Sequence, residues 1–410
     1  MEPSIYTLRL RDLLAFCVVS LLLLGIIMVQ SAATNVNGDS GWQWNERGAR
    51  HLVYAMVAVV TFIVVGNLDY RWMGRKFTSI WRNPVVWLLG VACFTCVIVL
   101  IPHVGIEVNG ARRWLPLGFV QLQPSELAKW GMVLFLAYCL SHHVEEIQKF
   151  FSGFLVMLIP IGFLCLLVVI QDFGTAALIG ACAMTMLLAG RVKGWHLMVV
   201  LPPALLMGFW FVHSEAYRWQ RMTSFLDPWA DPRGEGYHMV QSLLSFSTGG
   251  VFGRGLGNGI QKLGYLPEDT TDFIFAVICE ELGLFGALLT VALYLGILYI
   301  AWQVIRGTRD PFGRMVVFGV ASMVGLQAMI NIAVATVSVP TKGLSLPLVS
   351  AGGSGLVITC AALGLMYSVA KFGCVEEDEE DSTRSCEDAK VESLHASGRD
   401  ANEARGARIV

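Results

Sequence analysis

Long apolar runs alternate with short polar segments along most of the chain. Each run has close to the roughly 20 residues that an α-helix needs to cross the hydrocarbon core of a bilayer. The pattern predicts ten membrane-spanning helices, over residues 13–33, 51–68, 85–102, 125–141, 153–170, 174–190, 197–213, 280–303, 314–336 and 355–372. We therefore expect an all-α, polytopic integral membrane protein.

Basic residues cluster between alternate spans and predict the orientation of the chain. A cytoplasmic N-terminus brings the basic residues of 71–82, 191–193 and 306–314 to the cytoplasmic side, in agreement with the positive-inside rule. Both termini are then cytoplasmic. The segments that face outward are 34–50, 103–124, 171–174, about 214–279 and 337–354. The longest, about 214–279, forms a large extracytoplasmic loop between helices 7 and 8.

Composition agrees with a membrane domain that ends in a soluble tail. The chain is 55% hydrophobic and 15% charged, against roughly 45–50% and about 25% in soluble domains. Residues 1–372 form the predicted membrane domain. Residues 373–410 are charged and poor in large apolar side chains, which predicts a disordered cytoplasmic tail. The formal net charge of -2 gives no reason to expect a nucleic-acid partner.

Carboxylates gather where the large loop leads into the eighth span, in LGYLPEDTTDFIFAVICEELG (263–283). The apolar run that starts at Phe273 would be about 45 Å long as one helix, so its first turns must project outward or line a cavity. Asp272 then lies at a helix N-terminus. There it could cap the helix, or accept a proton or bind a metal at the mouth of a cavity. Glu280 and Glu281 would be costly in lipid and imply a polar cavity beneath it.

Other charged residues lie near the predicted outer ends of the spans. Glu126 and Lys129 have the spacing at which opposite charges meet on one helix face, as a structural ion pair or as part of a site. Asp172 occupies a very short turn. Basic residues are normally depleted on the outside, so recognition of an anionic substrate is one explanation for those found there. They are Arg112, Arg113, Arg218, Arg221 and Lys342, with Trp114 beside the first pair.

Two outer segments each allow two readings. The arginines and aromatic residues of 217–237 suit an anchor at the lipid–water interface or a cradle for an anionic headgroup. The glycines of STGGVFGRGLGNG (247–259) suit tight turns or close approach of the backbone to a ligand. This is not a dinucleotide fingerprint, because no strand precedes it.

Six segments resemble, in order, the signature segments of the shape, elongation, division and sporulation (SEDS) family. They are GARRWLPLG, QPSELAKW, QDFGTA, FLDPWADP, GLGNGIQKLGYLPEDTTDFIFAVICEELG and PTKGLSLPLVSAGGSG. The resemblance extends from the first span to about residue 372, and the PTKG that contains Lys342 is closer to the cell-division branch than to the elongation branch. Two positions depart from the family pattern: Thr270 replaces a common His, and Ala351 replaces a Tyr.

The resemblance implies a ten-helix peptidoglycan glycosyltransferase that polymerises lipid II at the outer face of the bacterial cytoplasmic membrane, at the division septum. Asp272 matches the family's catalytic aspartate. Glu126 and Lys129 match its paired charges, and Trp114, Asp172 and Lys342 match outer residues. A magnesium or manganese ion at Asp272 would suit hard oxygen ligands, and no nucleotide or organic cofactor is expected. The implied partners are a class B penicillin-binding protein, which is a transpeptidase, and other division proteins.

Two alternatives come from other functional classes. A transporter that flips lipid II would place ionisable residues near the middle of the bilayer, with broken helices in corresponding halves of the chain. A non-catalytic scaffold of the division machinery is favoured if Asp272 only caps its helix.

Overall fold

The computed structural model describes residues 9–33, 46–76, 82–108, 111–118 and 120–373, and these residues are mostly helical. In chain order the helices are α1 (Leu10–Ala33), α2 (Glu46–Asn67), α3 (Arg71–Gly74), α4 (Pro84–Leu100), α5 (Pro124–His142), α6 (Val144–Ile147), α7 (Leu155–Gln171), α8 (Phe173–Ala189), α9 (Gly194–His213), α10 (Ala216–Thr223), α11 (Tyr237–Gly249), α12 (Ile274–Gly307), α13 (Pro311–Ala335) and α14 (Ser354–Phe372). A π-helical turn, Phe150–Phe154, leads into α7.

All ten predicted spans coincide with helices. Within the described ranges, seven helical segments are long and apolar enough to cross a membrane: α1, α2, the π-turn with α7, α9, α12, α13 and α14. The helices α4 and α8 are apolar but shorter, and α5 contains the predicted charge pair of Glu126 and Lys129. The prediction of a polytopic, mostly helical membrane protein is confirmed.

The helices α5 and α13 form the centre of the bundle, where they pack against each other and against α8. Small residues allow the backbones to approach closely there, as is common between membrane helices. A Cβ on Gly319 of α13 would lie 2.6 Å from Val133 of α5 and 2.8 Å from Met186 of α8. The polar side chains of α13 are therefore held deep inside the protein.

Helix α12 is broken at Gly283, whose backbone has φ 65° and ψ -156°. A Cβ at this position would lie 2.3 Å from the backbone nitrogen of Gly253, so both the conformation and the close contact require glycine. Residues 284–307 alone would reach about 36 Å, enough to cross the bilayer. The excess length of the apolar run is therefore accommodated by a break, with Ile274 to Leu282 forming a separate short helix.

A small antiparallel sheet, which the sequence pattern did not predict, lies between α4 and α5. Its strands are β1 (Ile106–Val108), β2 (Ala111–Leu117) and β3 (Val120–Leu122), in that order, with Trp114 opposite Ile106 and Leu115 opposite Leu122. The sheet contacts α4, α5 and α7 through β2 and α14 through β3. Strand β2 therefore presents Arg112, Arg113 and Trp114 at one end of the bundle.

The predicted disordered tail, 373–410, lies outside the described residues apart from Gly373. The same holds for 34–45 of the first predicted outer segment.

Candidate active site

Four of the predicted outer segments meet at one end of the bundle. They are strand β2, the turn at Asp172, the α10–α11 region with the loop before α12, and residues 337–354. The side-chain nitrogen Nε of Arg113 donates to the carbonyl of Gln171 at 2.9 Å. Arg221 of α10 donates from Nε to the hydroxyl of Thr341 at 3.2 Å. We call this end of the bundle, which also carries Asp272, the site end.

Asp272 lies between α11 and α12 with its carboxylate recessed but partly exposed. It does not cap the helix that follows: Phe273 is the N-cap residue of α12, and no side chain makes a capping hydrogen bond there. No residue in the described part of the chain donates a hydrogen bond to the Asp272 carboxylate. A Cβ on Gly343 would lie 3.2 Å from Oδ2 of Asp272, so the backbone of 343 packs directly against this carboxylate.

The surroundings of Asp272 favour the protonated form of its side chain. Burial, followed by the negative charges of Glu268 and Asp172, raises the pKa of Asp272 from 3.8 to about 7. The positive charges of Arg221 and Arg113 oppose this shift. A carboxylate with a pKa near neutrality is suited to accept and release a proton.

Two predicted site residues lie next to each other beside this carboxylate. Asp172 caps α8: Oδ1 accepts from the backbone nitrogens of Gly174 at 2.9 Å and Thr175 at 3.3 Å. The ammonium of Lys342 lies 4.2 Å from the centre of the Phe173 ring. Burial lowers the pKa of Lys342, and the charge of Asp172 opposes that change. The site end therefore holds a cation that is partly stripped of water.

Three other predicted residues have partners away from Asp272. Arg112 forms an ion pair with Glu107 at 3.4 Å. Arg218 donates to the carbonyl of Phe211 at 3.1 Å and lies 4.0 Å above the same ring. Trp114 is half-buried on β2. In the structure, none of these three residues is seen to contact the Asp272 carboxylate.

Glu126 and Lys129 form the predicted ion pair, with 2.8 Å between Oε1 and Nζ. Lys129 is 0% exposed and also donates to Oε1 of Gln327 on α13 at 2.8 Å. With no exposed surface, Lys129 can influence a substrate only through the residues that it contacts.

The expectation of a polar cavity beneath Asp272, formed around Glu280 and Glu281, is wrong. Both residues are 0% exposed. Glu281 pairs with Lys262 at 2.7 Å and accepts from Ser31 at 2.7 and 2.9 Å. Glu280 accepts from the backbone nitrogen of Ile260 at 2.7 Å. These carboxylates hold the glycine-rich loop onto α12, and they are fully engaged in doing so.

The glycines of this loop serve tight turns. Four glycines of the loop have positive φ, Gly250, Gly253, Gly255 and Gly257, as does Gly264 shortly after it. The backbone nitrogen of Gly257 donates to Glu281 at 3.2 Å. The loop therefore directs its backbone donors at the protein's own carboxylates, which disfavours the alternative in which it cradles a ligand.

A family model described as "Cell cycle protein", which covers FtsW, RodA and SpoVE, matches residues 11–373. The chain belongs to this family. It is 37% identical over 364 residues to the "Probable peptidoglycan glycosyltransferase FtsW" of Coxiella burnetii, covering 87% of this chain and 95% of that protein. The protein of the same name from Alkalilimnicola ehrlichii is 41% identical over 374 residues, with coverage of 88% and 89%.

A solved structure also resembles this member of the FtsW/RodA/SpoVE family. It is described as "Structural coordination of polymerization and crosslinking by a peptidoglycan synthase complex", and it matches with a TM-score of 0.70 and 26% identity. The match covers 87% of this chain and 96% of the solved one. The resemblance to the SEDS family that the sequence indicated is therefore confirmed, as is its cell-division branch by the names of the relatives.

The residues around Asp272 do not form a ready-made cation cage. Within the ranges that the structure covers, no group of three or more His, Cys, Asp or Glu side chains converges on a point. The oxygens of Asp172 bind the first turn of α8, and Oδ2 also accepts from the Thr175 hydroxyl at 2.9 Å. A magnesium or manganese ion at Asp272 stays a prediction, and substrate phosphates and water would have to supply its other ligands.

The sequence analysis did not identify four residues that lie around Asp272 or contact the segments beside it: Glu268, Gly343, Gln327 and Asn331. Glu268 has φ 56° and its charge faces Asp272, but in the sequence it is one of several acids in a polar loop. Gly343 is one of 42 glycines. Gln327 and Asn331 did carry a signal, because two amides four residues apart inside an apolar helix mark one polar face.

Proposed function

We propose that the chain is a peptidoglycan glycosyltransferase that joins lipid II units into glycan strands, with Asp272 as its catalytic base. The names of the relatives support the activity. The single observation that carries the assignment of Asp272 is the state of its carboxylate, which is partly exposed, caps no helix and has a raised pKa beside the cations Arg113 and Arg221. A structural carboxylate would have its hydrogen bonds satisfied instead.

The proposed reaction exchanges one C1–oxygen bond for another and moves one proton to Asp272. Asp272 accepts the proton of the C4 hydroxyl of an acceptor sugar, and the hydroxyl oxygen bonds to C1 of the donor sugar. The bond between C1 and the diphosphate oxygen breaks, and the polyprenyl diphosphate leaves with the electron pair. The base must be deprotonated to act, and a pKa near 7 allows both uptake and release of the proton.

The leaving diphosphate needs positive charge where its own negative charge develops. Arg113 and Arg221 lie near Asp272, and Lys342 lies over the Phe173 ring at the same end of the bundle; all three are proposed to bind the diphosphate. Planar guanidinium groups match phosphate oxygens in pairs of hydrogen bonds. Arg112, Arg218 and Trp114 would hold the headgroup further out, at the level of the lipid surface. A divalent cation, if bound through Asp272, would add charge neutralisation at the phosphates.

The substrates explain why the site lies at one end of a membrane bundle. Both carry polyprenyl chains that stay in lipid while their headgroups meet at the site end. We propose that this end faces outward from the bacterial cytoplasmic membrane, that both termini are cytoplasmic, and that the protein acts at the division septum. Crosslinking would come from a partner, a class B penicillin-binding protein, within a division assembly, as the name of the solved complex suggests.

A transporter is the second candidate, because α12 is broken beside buried charges, which is a feature of transporters. The charges at this break are fully paired with one another and with the glycine-rich loop, which weakens that candidate.

The test is polymerisation of purified lipid II by the purified protein, with its partner present, resolved by gel electrophoresis. We expect long glycan strands from the wild type and a loss of about 10²–10⁴-fold in rate for Asp272→Asn. The matched control is Asp269→Asn in the same loop, whose carboxyl pKa is also raised by burial, to about 6. It should retain activity.

Two outcomes would contradict the proposal. If Asp272→Asn polymerises at the wild-type rate, Asp272 is not the base. If the wild type moves labelled lipid II across vesicle membranes but never lengthens it, the protein is a transporter.

A further inference from the structure

Helix α13 carries two buried amide side chains that face the site end. Gln327 is 4% exposed and Asn331 is 1% exposed. They are four residues apart, so they lie on the same face of the helix, one turn from each other. Neither has a place in the chemistry proposed above.

Asn331 connects two separate segments of the site. Its Nδ2 donates to the carbonyl of Asp272 at 2.8 Å and to the carbonyl of Leu344 at 2.7 Å. Both hydrogens of the amide are used, while Oδ1 is buried without a partner among the described residues. The amide therefore fixes residue 272 relative to Gly343, which packs against the Asp272 carboxylate.

The backbone before Asp272 is held in the same way at each residue. Thr270 accepts from the backbone nitrogen of Ala351 at 2.9 Å, and Thr271 accepts from the hydroxyl of Ser350 at 2.6 Å. With Asn331, three consecutive carbonyls have donors from outside the loop. Asn331 makes the last of these bonds, next to the carboxylate.

Gln327 extends this set of contacts to the buried ion pair. Its Nε2 donates to the carbonyl of Ser345 at 2.8 Å, and its Oε1 accepts from Lys129. Lys129 in turn pairs with Glu126. A continuous chain of contacts thus runs from α5 through α13 to residues 344 and 345, which follow Lys342 and Gly343.

We propose that Asn331 is a positioning residue that holds the Asp272 carboxylate against Gly343, and that Gln327 couples the Glu126–Lys129 pair to the same segment. This inference rests on the proposed role of Asp272 as the base. It gives the buried pair a function without substrate contact, since the pair sets the position of the segment that carries Lys342.

The test replaces Asn331 with leucine, which has a similar volume but cannot donate. We expect kcat for lipid II polymerisation to fall roughly 10–100-fold, the loss that follows a misplacement of about 1 Å. KM should stay within about twofold, because the lost interaction acts in the transition state. The control is Met329→Ala, on the same helix but on its outer face at 59% exposure, and it should leave kcat unchanged.

A pH profile separates positioning from a structural role. The groups that face Asp272 and set its titration are Glu268, Asp172, Arg221 and Arg113. A carboxylate released from its recess regains water, so the midpoint of kcat against pH should move below that of the wild type. A purely structural role would lower the amount of folded protein and leave this midpoint in place.

Three results decide the matter. Wild-type kcat and midpoint in Asn331→Leu, with Asp272→Asn inactive, would overturn the positioning role alone. A reduced kcat with an unmoved midpoint would overturn it as well. Full activity of Asp272→Asn would instead remove the proposed function on which it rests. If Asn331→Leu does not fold, Asn331→Ala carries the same test with the same criteria, because it removes both donated hydrogen bonds without adding bulk.

Discussion

The carboxylates of Asp272 and of the Glu280–Glu281 pair lie eight residues apart in the chain. Their surroundings in the structure are opposite in kind. Glu280 and Glu281 are 0% exposed and bind Lys262, Ser31 and the backbone of the glycine-rich loop. Asp272 is partly exposed, and no described residue donates to its carboxylate. In the sequence the three acids look alike.

The difference lies in what each carboxylate has in place of water. A buried charge is tolerated when a partner and several hydrogen bonds replace its hydration, and such a group is then committed to the fold. A carboxylate left without donors in a recess keeps its capacity for a proton or a ligand. The comparison therefore assigns stability to the 280–281 group and chemistry to Asp272.

Among changes to the 280–281 group, Lys262→Met should have the largest effect on the free energy of unfolding. This change leaves Glu281 buried without its counter-charge, and removal of one partner of a buried pair costs about 3–5 kcal/mol. We expect the free energy of unfolding to fall by that amount, measured from thermal unfolding of the detergent-purified protein. The control is Arg50→Ala, which removes an exposed pair with Glu46 at 3.3 Å and should change stability by less than about 1 kcal/mol. Equal thermal midpoints for the two variants would contradict this account of the 280–281 group.

Gly343→Ala tests whether the position of the Asp272 carboxylate controls the rate of polymerisation. The new Cβ would lie 3.2 Å from Oδ2 of Asp272, which must then shift by a few tenths of an ångström or more. We expect polymerisation to slow by roughly 10-fold or more, as small misplacements of catalytic groups do, while the thermal midpoint changes little. Gly180→Ala, with open space around its Cβ in α8, is the matched control and should keep its rate. An unchanged rate in Gly343→Ala would show that the carboxylate position does not matter.

Two N-cap aspartates, one near Asp272 and one far from it, provide a test with a smaller expected change in stability. Asp172 caps α8, and Asp310 caps α13 with the same pattern of two backbone donors. Replacement of either by alanine should cost about 1 kcal/mol of stability. Only Asp172→Ala should move the pH midpoint of the polymerisation rate, and the move is downward, because the charge of Asp172 raises the pKa of Asp272. Identical pH profiles for the two variants would place Asp172 outside the site.

Periodicity and length were sufficient to predict the spans. An apolar run of about 20 residues has few alternatives in a membrane, so all ten helices were predictable to within several residues. The strands around Trp114 were not, since three to seven residues with two arginines carry little strand signal. The break at Gly283 also escaped prediction, because a single glycine in an apolar run fits an unbroken helix.

The site was predictable in its residue types but not in their partners. The basic residues that opposed the positive-inside trend pointed to the end of the bundle that carries Asp272, with Arg113 and Arg221 near its carboxylate. Which acid is satisfied and which is open depends on the fold of the 250–264 loop and on Ser31, which is 250 positions away from Glu281. Spacing along the chain contains no information about such contacts.

The most direct test of the central claim is the pH dependence of kcat for lipid II polymerisation by the wild-type protein. A base acts only when deprotonated, so a pKa of about 7 predicts that the rate is lost as pH falls through about 7 and reaches a plateau above it. A rate that stays constant down to pH near 4, the ordinary range of an aspartate, would contradict the claim that the recessed Asp272 is the proton acceptor.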